Sequence, residues 1–207
     1  MRFNLLILLS ILFTFSIANT KLTANQSKTI RQAKALQKNG LIDEAIEVYY
    51  TLFNNYPNHY EILSPLKKLL KDKNNLNALN DIATKYISAN KNSLKSKVDI
   101  FDIYLYTSNL NKWGNILDEL INGENLKSEY LNKVLGEMLN KSMLDVVLAN
   151  VQIIRQTKES FFSLELAMHY SISMSIEKSL NEFFLHLKNY PKKKSFIFNR
   201  ILAFPDI

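Results

Sequence analysis

An all-α fold of stacked helix hairpins is what this sequence predicts, and three observations carry the prediction. Only four glycines and four prolines occur in 207 residues, too few punctuators for a chain of short strands and tight turns. Apolar residues recur near every 3.6 positions along almost the whole chain, the spacing of one helical face. The tripeptide Asn55-Tyr56-Pro57 returns as Asn189-Tyr190-Pro191, 134 residues later, which is about four units of the 33 to 34 residues typical of stacked helix pairs. β-branched clusters such as Phe196-Ile197-Phe198 have no partner run across a hairpin turn, so no strand is expected.

The first eighteen residues read as an export signal. Arg2 supplies a positive start, Leu5 to Ile17 an apolar stretch broken only by Ser10, Thr14 and Ser16, and Ser16-Ile17-Ala18 a small-x-small cleavage site. The stretch is shorter than the ~18 to 20 apolar residues of a spanning helix, so the expected product is cleaved and periplasmic or secreted. An uncleaved segment would anchor the chain to a membrane instead. Residues 19–25 are expected as a linker and 26–207 as the repeat domain.

Taking 18 residues from 207 leaves 189 and removes one base, Arg2, so 25 bases face 19 acids and the net charge goes from +7 to +6. A mildly basic exported chain can meet anionic lipid, cell-wall polymer or acidic partners, whereas nucleic acid is not an expected partner. The plainer account of the Lys, Asn and Ile richness is biased base composition. With no cysteine at all, disulfides, thiolate metal sites and a lipid-modified N-terminal cysteine are excluded. Stability must come from packing, for which 47% apolar residues are ample, since a chain this long can bury ~70% of its unfolded surface.

The hairpins follow in order. Ile30, Ala33, Lys34, Leu36 and Gln37 continue one helix, which Lys38-Asn39-Gly40 ends, because glycine takes the left-handed turn at low cost. Ile42, Ala45, Ile46, Tyr49, Leu52 and Phe53 line its partner at three-and-four spacing. Asp43 and Glu44 sit where the helix dipole favours negative charge, and Pro57 stops this helix and opens the next. In the second hairpin Leu63, Leu66 and Leu70 turn at Lys73-Asn74-Asn75 into Leu76, Leu79, Ala83, Tyr86 and Ile87. In the third, Val98, Phe101, Tyr104 and Leu105 turn through Ser108 to Asn111 into Trp113, Ile116, Leu117 and Leu120, ended by Gly123. The fourth runs from Leu131, Val134, Leu135 and Met138, through a turn near Ser142, to Leu144, Val147, Leu148, Val151 and Ile154. The fifth runs from Phe162, Leu166, Ala167 and Tyr170, through Met174, to Ile176, Phe183, Phe184 and Leu187. Turn centres at 40, 74, 111, 142 and 174 are 34, 37, 31 and 32 residues apart. A closing helix from about Lys192 to Ala203, with Phe196, Ile197, Ile201, Leu202 and Phe204, reads as the cap an array of hairpins requires at its end.

In this arrangement the residues resemble the tetratricopeptide repeat (TPR), whose 34-residue pattern runs W-x2-L-G-x2-Y, then A-x3-F, then P. The fifth hairpin places Leu166, Ala167, Tyr170, Ser179, Phe183 and Pro191 at the required offsets. The first places Ala33, Gly40, Ala45, Tyr49 and Pro57, with Leu36 standing for the tyrosine. The second keeps Leu63, Leu66, Leu70 and Ala83 but has Leu79 where a small residue is expected, and the third and fourth match in apolar spacing alone. Over about residues 26 to 191 the resemblance implies a right-handed α-solenoid of about five hairpins plus a C-terminal helix. It further implies a protein or peptide partner in a concave groove lined by the first helix of each hairpin. Carried over by position, that groove would present Lys34, Lys38, Lys68 and Lys71 beside Phe101 and Leu105, lysines as point charges and the apolar pair as anchors. The simpler role for these lysines is to keep an exposed face soluble.

Chemistry-bearing constellations are weak by comparison. His59, His169 and His186 lack the i, i+4 spacing of a helical metal pair, so neither a metal nor another cofactor is expected. Asp43/Glu44, Asp99/Asp102 and Asp118/Glu119 read as helix-start or surface charges, and four scattered glycines make no phosphate loop. No catalytic residue is expected. Lys192-Lys193-Lys194 with Arg200 reads as a solvated helix start, or else as a contact for an anionic surface. The expected function is therefore that of an exported, non-enzymatic, partner-binding repeat protein, serving envelope assembly or secretion. The alternatives are a helical accessory domain of a cell-wall or polysaccharide enzyme, and a self-assembling structural unit.

Overall fold

The computed structural model describes residues 21–123 and 127–204. The expected export segment, residues 1–18, lies outside them. Twelve α-helices and one 3₁₀ turn account for the regular structure, with no strand among the described residues. They divide into two compact units that meet at Asn90 and Lys91 in the sequence.

The first unit holds α1 (Ala24–Lys38), α2 (Ile42–Asn55), α3 (Tyr60–Asp72) and α4 (Leu76–Ala89). Helix α1 begins two residues before the expected end of the linker, because Thr23 and Gln26 close a capping box that satisfies two otherwise orphaned amides. Each helix packs on the next. Ala33, Ala45, Tyr49, Phe53, Leu63, Leu66 and Leu79 are fully buried, so the stripes read from the sequence are the ones that meet. Leu79 is accommodated at the position where the first hairpin carries Ala45. Polar bonds then tie one hairpin to the next: Tyr50 donates to Asp81, 31 residues on, and Lys85 donates to Asn54 across 3.0 Å, also 31 residues apart.

The second unit holds α5 (Leu94–Asp99), α6 (Phe101–Tyr106), α7 (Leu110–Asn122), α8 (Ser128–Asn140), α9 (Leu144–Arg155), α10 (Ser163–Ile172), α11 (Ile176–Asn189) and α12 (Lys194–Ile201), the last preceded by a 3₁₀ turn over Pro191–Lys193. The single helix expected over Val98 to Leu105 is broken at Ile100, whose φ of -112° leaves the helical range. Val98, Asp99, Ile100 and Phe101 are all buried. Four successive residues sweep the full circumference of an α-helix, so a straight helix packed on one side cannot bury them all. The break resolves this, with α5 and α6 each packing against both α7 and α8.

Between α9 and α10 the chain inverts at Phe162, which has φ 60°, and Phe161 stacks on Phe162 inside the protein. Arg155 holds that loop: its Nε donates to the Phe161 carbonyl at 3.0 Å while its two terminal nitrogens grip Glu182 at 2.9 and 2.6 Å. At the end, Ile197 of α12 is fully buried with Ala167 and Phe183, and Leu164, Met168, Leu187, Ile201 and Phe204 pack around them. The closing helix therefore caps α10 and α11, as the sequence predicts. The small positions do what the repeat pattern requires, since the buried Ser179 hydroxyl reaches the Ala167 carbonyl at 2.8 Å and lets α11 cross α10 closely.

The repeat is written most clearly in the turns. Gly40, Asn74, Ser108, Ser142 and Met174 all have positive φ, between 52° and 81°, and follow one another at 34, 34, 34 and 32 residues. Around each, two backbone bonds recur. Leu41 donates to Leu36 and Gly40 to Gln37; Asn75 donates to Leu70 and Asn74 to Lys71; the same pair recurs at Asn109 and Ser108, Met143 and Ser142, Ser175 and Met174. These are Schellman caps, which satisfy the last carbonyls of a helix by turning one residue left-handed. The third turn is centred on Ser108 and not on Asn111, and with that correction the uneven spacing of the sequence reading becomes regular.

Candidate partner-binding face

The left-handed residues supply a common register for the first helix of every hairpin. Six positions before them stand Lys34, Lys68, Asp102, Gly136 and Met168; three before, Gln37, Lys71, Leu105, Leu139 and Ser171; two before, Lys38, Asp72, Tyr106, Asn140 and Ile172. These positions point away from the second helices and define one face of each unit.

In the first unit that face is basic. Helix α1 carries Lys28, Arg31, Lys34 and Lys38 and no acid, and at 100° per residue the last three fall within a stripe about 60° wide. Lys34, Lys38 and Lys68 are exposed and Lys71 is half-buried. Lys67 stands 5.5 Å from the centre of the Tyr60 ring, an attraction between cation and π-face.

In the second unit the same face becomes apolar. Gly136, Leu139 and Asn140 of α8 and Leu164, Met168 and Ile172 of α10 line a concavity of about 410 Å³, within the range of small side-chain and ligand sites. Ile172 is 82% exposed although its equivalents in the first unit are Lys38 and Asp72. Gly136 opens the floor, since nothing lies within 4 Å of where a Cβ would stand. Sequence reasoning assigned these residues to packing. The signal was available in the register, which puts isoleucine and methionine where the first hairpin carries lysine.

One expected groove residue is corrected. Phe101 is 1% exposed and lies seven residues before Ser108, just as Ala33 precedes Gly40 and Ala167 precedes Met174. That is the position facing the neighbouring helix, so Phe101 fills the core and offers no anchor. Leu105 stays on the face, half-buried. The four lysines belong to the first unit, and Phe101 and Leu105 to the second.

Two other concavities are polar. One of about 1010 Å³ opens beside α2 and the turn before α4, with the Asp43–Lys73 ion pair at its mouth. The other, about 670 Å³, includes Ser163 and His186. The Ser163 hydroxyl lies 3.1 Å from His186 Nδ1 but donates to the Ser160 carbonyl at 2.8 Å and is 1% exposed, a placement that fastens the start of α10 and not that of an accessible nucleophile. Burial holds His186 below its ordinary pKa, Glu165 pulling it upward and Lys193 down, and its ring stacks on Tyr190 at 4.6 Å. Among the described residues no three of His, Asp and Glu gather as a metal-ligand set, and no helix is long and apolar enough to cross a membrane.

A 34-residue register, Schellman-capped hairpins and small residues at the crossings define an all-α helical-repeat protein of the TPR-like class. No family model matches the chain, and no curated protein matches it. Among solved structures the chain is similar to a crystal structure of MamA protein, at 14% identity over 88% of this chain and 97% of that one with a TM-score of 0.46, and to a second of MamA, at 16% over 79% and 96% with 0.44. It is also similar to YrrB, described as a TPR protein with an unusual peptide-binding site, at 13% identity over 79% of this chain and 85% of that one, TM-score 0.40.

Proposed function

We propose that this protein is a non-enzymatic scaffold that holds an extended segment of a partner protein on the face made by its first helices, and that it does so outside the cytoplasm, in envelope assembly or secretion. The observation that carries the proposal is Ile172, an isoleucine left in solvent beside Met168 and Leu139 at a repeat position that carries lysine or aspartate in the first unit. An apolar side chain from the partner would remove this patch from water, and central apolar anchors of this kind dominate binding energy. The basic stripe on α1 and α3 suits acidic stretches of a partner, chiefly by raising association rates. The apolar N-terminal stretch with its small-residue cleavage site supports export.

The test is capture from envelope extract by wild-type protein and by Ile172→Asp, which changes an exposed position and should fold normally. Loss of a specific partner in the variant supports the groove. Retention of every partner places binding elsewhere. Sequencing the N-terminus of the protein made in its host is expected to find Asn19 first.

A further inference from the structure

The outer side of the closing helix is an unusual end for a stack of hairpins. Terminal repeats are expected to present a polar face to water, yet Phe196, Phe198 and Leu202 are all exposed, Leu202 by 79%. Tyr190 and Phe184 nearby are more than half exposed as well. From Tyr190 to Phe204 the chain has four bases, Lys192, Lys193, Lys194 and Arg200, and no acid. Among the described residues none of these four is held in an ion pair. Two of them lie against the exposed rings instead, Lys194 over Phe198 and Arg200 over Phe196, each at 5.5 Å.

The charge decides what can cover this face. A second copy meeting it through the same helix would bring four bases against four. Stacking it on the other end of a neighbour would bring it to α1, which carries four bases and no acid. Like charges set against each other disfavour both arrangements, and with them end-to-end self-assembly. A surface that is negatively charged and apolar just beneath satisfies both halves of the pattern: lysines and arginine at the headgroups, phenylalanines and leucine inserted between them. The 3₁₀ turn at Pro191 places Lys192, Lys193 and Lys194 at the start of α12, and Ile197 alone, fully buried, fixes the helix to α10 and α11. From this we infer that α12 docks the protein on the surface of an anionic phospholipid bilayer, lying in the headgroup layer without crossing it.

The test is co-sedimentation of the full chain with vesicles of phosphatidylcholine alone and of phosphatidylcholine containing phosphatidylglycerol. Wild-type protein is compared with Lys192→Glu/Lys193→Glu/Lys194→Glu and, separately, with Leu202→Ser; all carry the same N-terminus, so differences report on α12. Binding to the anionic vesicles is expected to fall roughly a hundred-fold in the triple variant, at about five-fold for each base removed, and to weaken with added salt. Phe196→Trp should shift its emission to the blue with anionic vesicles and not with neutral ones. Unchanged partition of the triple variant overturns the inference, as does a concentration-dependent dimer that leaves Phe196→Trp insensitive to lipid. Ile172→Asp should bind vesicles like wild type, so failure of the partner groove and failure of this surface are read separately.

Discussion

Lys133 donates to Asp99 across 2.9 Å, and the two residues stand 34 positions apart, one full repeat. Asp99 also accepts from Lys95 at 2.6 Å, one turn earlier on its own helix. Its side chain is 7% exposed, while those of Lys95 and Lys133 are 57% and 41% exposed. A buried carboxylate therefore joins two hairpins by drawing one lysine from each.

Burial pushes the Asp99 carboxyl up, but the bonds from Lys95 and Lys133 outweigh it and hold its pKa below the usual 3.8. A depressed folded-state value means the stabilisation is present above the unfolded value and is lost as pH falls from there through the folded value. Asp99→Asn is expected to lower stability at neutral pH by about 1 to 3 kcal/mol and to flatten the acid limb. Denaturant midpoints of both proteins across the acid range check this.

Tyr50 behaves oppositely. Burial, then its bond to Asp81, pushes the phenol from 10.0 to about 12. A raised value stabilises the fold below the unfolded pKa, and that contribution disappears as pH climbs from there through the folded one. Phenolate absorbance should show one tyrosine titrating late in the native protein, missing from Tyr50→Phe, whose stability should depend less on alkali between these limits.

The turns predict a graded series. Left-handed backbone costs a residue with a Cβ roughly 1 to 2 kcal/mol, with asparagine penalised least. Met174→Gly and Ser142→Gly are expected to stabilise by about 0.5 to 1 kcal/mol, and Asn74→Gly by less. Gly40→Ala should destabilise, although nothing lies within 4 Å of the new methyl group, because its φ of 81° is the obstacle. Thermal melts of the four variants rank them.

Tyr49 is fully buried, its hydroxyl has no hydrogen-bond partner among the described residues, and burial alone raises its pKa. Removing an unsatisfied polar group from a core relieves a desolvation cost of about 1 kcal/mol or more. Tyr49→Phe should therefore unfold at equal or higher denaturant concentration.

The hairpins were legible because their signals are local. Glycine at 40 and asparagine at 74 announce left-handed caps, and each apolar stripe shows which side of its helix is buried. Ser108 gives no such announcement, so the third turn was expected three residues late. That slip carried Phe101 onto the binding face when its true register is the buried position of Ala33. The break at Ile100 was invisible for a different reason: it arises from burial by α7 and α8, which no local pattern records. At the site, the basic stripe could be read directly, whereas Met168 and Ile172 became distinguishable from packing residues only once the turns had fixed which way each first helix points.

The recurring turns also bear on how such a chain acquires its structure. Within each unit the helices rest chiefly on those next to them in sequence, so the loops closed during folding are short and their entropic cost is small. A polypeptide delivered end first, from a ribosome or through a translocation pore, can then order progressively behind its own leading edge. Each newly arrived pair of helices finds its docking surface already in place.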